Sequence, residues 1–210
     1  MTALSIPDAD ERGDLGAFVA RVVRLDPAAA ARLRAGEGTV TAWASTPFDV
    51  LATRTVHGHV DPSDVTVSAN ALLTALAVEK AATVDPGVGG LWPGDLPPDT
   101  GWSPVDVVPA AEIDALTERG LAVARENAGP LGPPASLLDQ NVLTVSAAPG
   151  PTVKVPLRCL FALSGMGFLG ASSDGPDEVV RVSATASWLR LDARYGAVVR
   201  RRLTALPLLV

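Results

Sequence analysis

Two histidines stand two positions apart, His57-Gly58-His59, and Asp61 follows at the next step of the same alternation. On an extended chain residues two apart share a face, so these three side chains would line one side of a strand at about 6–7 Å per step. Two imidazoles and a carboxylate are donors that zinc accepts, which makes His57, His59 and Asp61 the candidate metal ligands. They include every histidine of a 210-residue chain that has one cysteine and one tyrosine. The competing structural reading is a polar hairpin face with Gly58 marking a bulge. No resident cofactor is expected.

The run resembles the opening of the His-x-His-x-Asp-His signature of metallo-β-lactamase-fold hydrolases, which would imply a metal-dependent enzyme. Pro62 stands where the final histidine of that signature belongs, and no later histidine exists to complete a metal site. That family is therefore not adopted. Gly165-Met166-Gly167-Phe168-Leu169-Gly170 has the G-x-G-x-x-G spacing, with Asp192 at the end of the following strand. A dinucleotide fingerprint must open a helix, and Ala171–Asp177 breaks one, so these glycines read as a helix C-terminus. Cys159 lies among Leu157, Leu160 and Phe161 and reads as a buried, inert thiol. Ser164 lacks the first glycine of a nucleophile elbow.

Arginines form the remaining constellation. Arg190, Arg194, Arg200, Arg201 and Arg202 gather near Asp192 and Tyr195, and they are the candidate nucleic-acid contacts. Residues 151–210 carry eight bases against four acids, whereas residues 41–150 carry four bases against 13 acids. The order helix, short helix, strands, helix, long strand resembles a winged helix-turn-helix, whose wing would present arginines to phosphates. Against it, the helix in the recognition position offers only Arg158, and the net charge is −6.

The elements that must hold these groups follow from pattern. The spacing predicts a helix over 16–25, then a second over 28–35 begun by Asp26-Pro27. Strands are expected at 39–45 and 49–60, and a helix capped by Ser68 running to about residue 82. Further helices are predicted from Pro109 to Gly129, after Pro133-Pro134, and over 157–164. Strands are predicted at 141–146 and 152–155, with one long strand over 178–191 and a return at 197–203. Residues 85–109 hold eleven Pro or Gly together with Leu91, Trp92, Leu96 and Trp102. That combination predicts an ordered connector packed on a core, because tryptophan burial offsets the entropy of ordering a long loop.

The expected fold class is α+β, with mixed helices and short antiparallel strands and a winged-helix-like C-terminal part. The expected organisation is an N-terminal subdomain over 1–84, the connector over 85–109 and a C-terminal subdomain over 110–210. Arg, Ala, Val, Gly and Pro usage fits a GC-rich bacterial genome. One cysteine fits a reducing compartment, and the acidic first residues lack the basic and apolar regions of a signal peptide. The longest apolar stretch is too short to span a bilayer, so a cytoplasmic protein without membrane contact is expected. The function these features favour is non-enzymatic, through a protein partner or self-association, with apolar end segments such as Leu206–Val210 available for docking. Accessory nucleic-acid binding and a metal-dependent enzyme are the alternatives.

Overall fold

The computed structural model describes residues 2–78, 81–129, 133–170 and 178–202. The turn expected at Ser172–Pro176 and the apolar Leu206–Val210 segment lie outside the described residues.

After β1 (Ala3–Ser5), the Asp8 carboxylate accepts from the Asp10 and Glu11 amides and opens α1 (Ala9–Leu25). That helix buries Leu15, Phe18, Val19 and Val22 on one face. The chain then forms β2 (Ala30–Ala35), β3 (Thr39–Thr46), β4 (Val50–His57), β5 (His59–Asp61), β6 (Asp64–Ser68), α2 (Ala69–Val78) and β7 (Thr83–Val84). Beyond the connector come β8 (Ser103–Pro109), α3 (Ala110–Glu126), α4 (Ala135–Leu138) and the hairpin of β9 (Asn141–Ser146) and β10 (Thr152–Pro156). Helix α5 (Leu157–Gly165) follows, then β11 (Val179–Ala184), β12 (Trp188–Ala193) and β13 (Gly196–Arg201).

Eight strands form one antiparallel sheet in the order β6-β2-β3-β4-β13-β12-β11-β8. The last strand returns to the middle and pairs with β4, matching Ala197 to Thr53, Val198 to Ala52 and Val199 to Leu51. One sheet face, built from residues such as Val40, Ala42, Ala52, Val182, Leu191 and Val198, joins the helices' apolar sides in the main core. The alternation of strand side chains puts Trp43, Leu51, Trp188 and Val199 on the opposite face.

Three expectations need correction. Residues 28–35 are not a helix: Ala31 and Leu33 are buried between Arg32 and Arg34, a period of two, and β2 pairs on both sides. Two ladders outweigh the helix propensity of alanine. The long strand over 178–191 is broken, because the Thr185 hydroxyl accepts from the Ser187 and Trp188 amides and turns the chain into a hairpin. The winged-helix arrangement is not found. Strands β11, β12 and β13 are flanked by β8 and β4 inside the sheet, and α5 is buried with its Leu157–Leu163 stretch in the core. Residues 85–102 run without helix or strand, and Ser103–Pro109 joins the sheet as its edge strand.

Gly58 separates β4 from β5 because nothing larger fits: an added Cβ would stand 2.4 Å from the Ser5 carbonyl oxygen and 3.2 Å from Ile6 Cγ1. Gly13 on α1 has nothing within 4 Å of that position. Gly58→Ala is expected to lower stability by about 1–3 kcal/mol. Gly13→Ala is expected to raise it by about 0.5–1 kcal/mol, as for other exposed helical glycines. Urea unfolding of both variants checks the pair.

Candidate functional site

The strap, residues 85–102, leaves one edge of the sheet and reaches the other. The Gly89 amide donates to the Thr66 carbonyl on edge strand β6, and the chain enters the opposite edge strand at Ser103. Between them Trp92, Leu96 and Trp102 pack against Trp43, Leu51, Trp188 and Val199. All four tryptophans of the chain therefore meet on the sheet face opposite the helices. Trp102 Nε1 donates to the Pro98 carbonyl at 2.9 Å, while Trp92 Nε1 is buried with no acceptor among the described residues.

Two ion pairs tie the strap down, Asp99 to Arg34 at 3.2 Å and Asp95 to Arg201 at 3.2 Å. Both are solvent-exposed and contribute little, so apolar contact carries most of the attachment. A cleft of about 690 Å³ opens beside the strap, floored by Trp43, Thr41, Thr55 and Ser183 and walled by Pro97, Pro98, Trp102, Arg34 and Arg190. A second cleft of about 350 Å³ lies between Pro93–Asp95 and the ends of β3, β4 and β13. Leu91 is 95% exposed on the strap. The arrangement suits binding: apolar aromatic floor, polar rim, and charges already placed at the edge. Among the described residues, no histidine or cysteine lines either cleft.

The arginines singled out in the sequence do not share one surface. Arg190 is bound by Asp192 at 2.7–2.9 Å, and Arg194 lies over the Tyr195 ring. Arg201 lies over the Trp188 ring as well as pairing with Asp95. Arg200 reaches Asp49 at 3.5 Å and Asp139 at 3.3 Å, and Arg202 Nη1 donates to the Thr185 carbonyl at 2.9 Å. Sequence reasoning missed Arg158. It is only 7% exposed, binds Asp139 at 2.8 Å and donates to the Phe48 carbonyl at 2.8 Å, fixing α5 to the β3–β4 turn. Its flanking apolar run gave no sign of these partners, which come from distant parts of the chain. Cys159 is fully buried and its thiol is pushed up to about 12, which removes it from nucleophilic chemistry.

His57 and His59 fall on different sheets, one ending β4 and the other pairing with Ser5 on β1. Asp61 pairs with Ala3 two positions further along β5. No cluster of three or more His, Cys, Asp or Glu that could hold a metal ion occurs among the described residues. His57 instead meets Glu11 from α1. Its Nδ1 lies 2.6 Å from one Glu11 oxygen, and its backbone amide donates to the other. The Glu11 hydrogen bond, then its charge, raises the imidazole above its ordinary 6.5. The side-chain and backbone bonds to His57 hold Glu11 below its ordinary 4.5. The raised imidazole contributes stability below pH 6.5 and loses it as pH rises through its folded value. The lowered carboxylate contributes above pH 4.5 and loses it as pH falls through its folded value. The difference in melting temperature between the protein and Glu11→Gln is therefore expected to peak between pH 4.5 and 6.5 and shrink towards pH 9. NMR titration should also show the His57 pKa falling in that variant.

Comparison with solved structures shows a fold that resembles that of sliding clamps. The DNA polymerase sliding clamp from Caulobacter crescentus matches with a TM-score of 0.58 at 17% identity, over 98% of this chain and 66% of that one. The DNA polymerase III subunit beta from Pseudomonas aeruginosa matches at 0.58 and 11% identity, over 98% and 66%. The sliding clamp from Bacillus subtilis matches at 0.56 and 14%, over 98% and 65%. The chain thus spans slightly under two thirds of these proteins, and at such identity the likeness concerns the fold. Among curated proteins none matches the sequence. Residues 1–92 match the model of a domain of unknown function, DUF8010. Residues 97–205, just over half of the chain, match a second domain of unknown function, DUF8185. The chain belongs to the DUF8185 family.

Proposed function

We propose that this chain is a non-enzymatic, clamp-related docking protein that holds a short extended segment of a partner on the strap side of its sheet. The observation that supports this most is the fold match over 98% of the chain to proteins named as sliding clamps and as a polymerase subunit. Those names describe proteins that work within an assembly. The face with the four tryptophans and two clefts is where this chain has binding character.

The occupant that fits is a segment carrying an apolar side chain beside a carboxylate. The strap itself models it: Leu96-Pro97-Pro98-Asp99 seats apolar groups near the tryptophans and sets its carboxylate on Arg34. Contact with DNA, which the neighbours' names suggest, finds less support. Helix α3 carries Glu112, Asp114, Glu118 and Glu126 against Arg119 and Arg125. Burial, followed by the nearby Glu118, raises the Asp114 carboxyl, so acidic groups already crowd one another there. Helix α1 carries acids and arginines in equal number. A phosphate backbone calls for a basic face that these helices do not present. No described helix is long and apolar enough to cross a membrane, and action in the cytoplasm is part of the proposal.

Selection of a random peptide library on the immobilised protein tests the reading. Enrichment of an apolar–acidic motif is expected, with at least about tenfold weaker binding to Arg34→Glu, whose melting temperature should be unchanged, and to Trp102→Ala, compared at a temperature where that variant is still folded. No enriched motif, or a motif indifferent to both substitutions, would overturn it. Sedimentation of the protein alone tells whether a second copy supplies the segment.

A further inference from the structure

Arg200, Arg201 and Arg202 alternate along β13 and its exit, yet all three line one cleft of about 400 Å³. Its other wall is the β9–β10 hairpin, which contributes Asn141, Thr152 and Lys154, and one carboxylate, Asp139, lines the cleft beside Arg200. Two of the four cations are compensated: Arg200 by Asp139 and Asp49, Arg201 by Asp95. Among the described residues two are not: the Lys154 side chain makes no hydrogen bond or ion pair there, and the Arg202 guanidinium has only the neutral Thr185 carbonyl. That carbonyl, with the Arg202 amide donating to the Ser187 carbonyl at 2.7 Å, fixes the arginine in place without neutralising it.

We propose that this cleft binds a small phosphate-bearing anion, with Lys154 and Arg202 as its charge partners. A fixed guanidinium offers the planar fork that matches phosphate oxygens, and an ammonium on a flexible stem supplies the second charge of a dianion. Asn141 and Thr152 add neutral hydrogen-bonding groups at the same wall, and the volume admits a nucleotide-sized molecule. In a chain of net charge −6 an anion would otherwise be repelled, so two cations with no carboxylate partner among the described residues, set in one concavity, select for it. The cleft shares Arg200 and Arg201 with the smaller cleft beside the strap, but its charge partners Lys154 and Arg202 line neither docking cleft, so the site does not rest on the docking proposal.

The test is an NMR titration of the full chain at low salt with sodium pyrophosphate, with ADP and with a short oligothymidylate, read at the amides of residues 152–154 and 200–202. Pyrophosphate or ADP is expected to shift these amides saturably. Affinity should fall at least about tenfold in the Lys154→Ala/Arg202→Ala double variant, as two charge-assisted contacts imply. Arg181→Ala, an exposed arginine elsewhere, should bind as the parent does, and each variant should keep its melting temperature. Lack of response to both small ligands, or a response that survives the double substitution, would overturn the site. So would binding of the oligonucleotide alone, which would make the cleft a backbone contact instead.

Discussion

Three residue pairs hold the two halves of this protein in one sheet: Ala197 with Thr53, Val198 with Ala52 and Val199 with Leu51. Both faces depend on that short ladder. On the core side it sets Val198 beside Ala52 beneath the helices, and on the other it sets Val199 beside Leu51 beneath the tryptophans. Trp43 comes from the first half and Trp188 from the second, so the aromatic face exists only while β4 and β13 stay paired. The buried Arg158 and the half-buried Arg200 act at the same seam, drawing Asp49 from the β3–β4 turn and Asp139 from the end of α4 towards α5 and β13. Burying such charges is costly unless they are paired, and here each guanidinium has two carboxylates.

The strap follows from this geometry. The first half ends at one edge of the sheet and the second begins at the other, so the connecting chain must cross a face. Proline limits the conformations it loses on ordering, glycine lets it turn, and tryptophan burial offsets what remains. Because only one backbone hydrogen bond to the sheet, Gly89 to Thr66, secures the crossing among the described residues, space is left open on both clefts beside it. A face that is apolar, partly covered and rimmed by Arg–Asp pairs is suited to receive a further segment of chain.

Much of this was legible in the sequence where the cause is local. The helix from Pro109, the hairpin at 141–155, the short apolar helix after Pro156 and the tryptophan-rich connector all follow from period, proline and turn residues. Apart from the local Thr185 turn that breaks 178–191, what failed was decided at long range. Alanine-rich 30–35 becomes a strand because β3 and β6 present ladders on either side. His57 and His59 separate because the Ser5 backbone comes within reach of Gly58, which no local pattern announces. The arginine cluster was visible as charge, but its division into paired and unpaired members depends on Asp49, Asp95 and Asp139, far away in sequence.

The account stands on the two halves forming one structural unit through the β4–β13 ladder. Urea unfolding followed simultaneously by tryptophan fluorescence and far-ultraviolet circular dichroism tests this directly. One transition is predicted, with the same midpoint by both probes, because the tryptophan face and the sheet cannot persist separately. Two transitions, or fluorescence lost while most of the dichroism remains, would show that the halves are joined by the strap and not by the sheet.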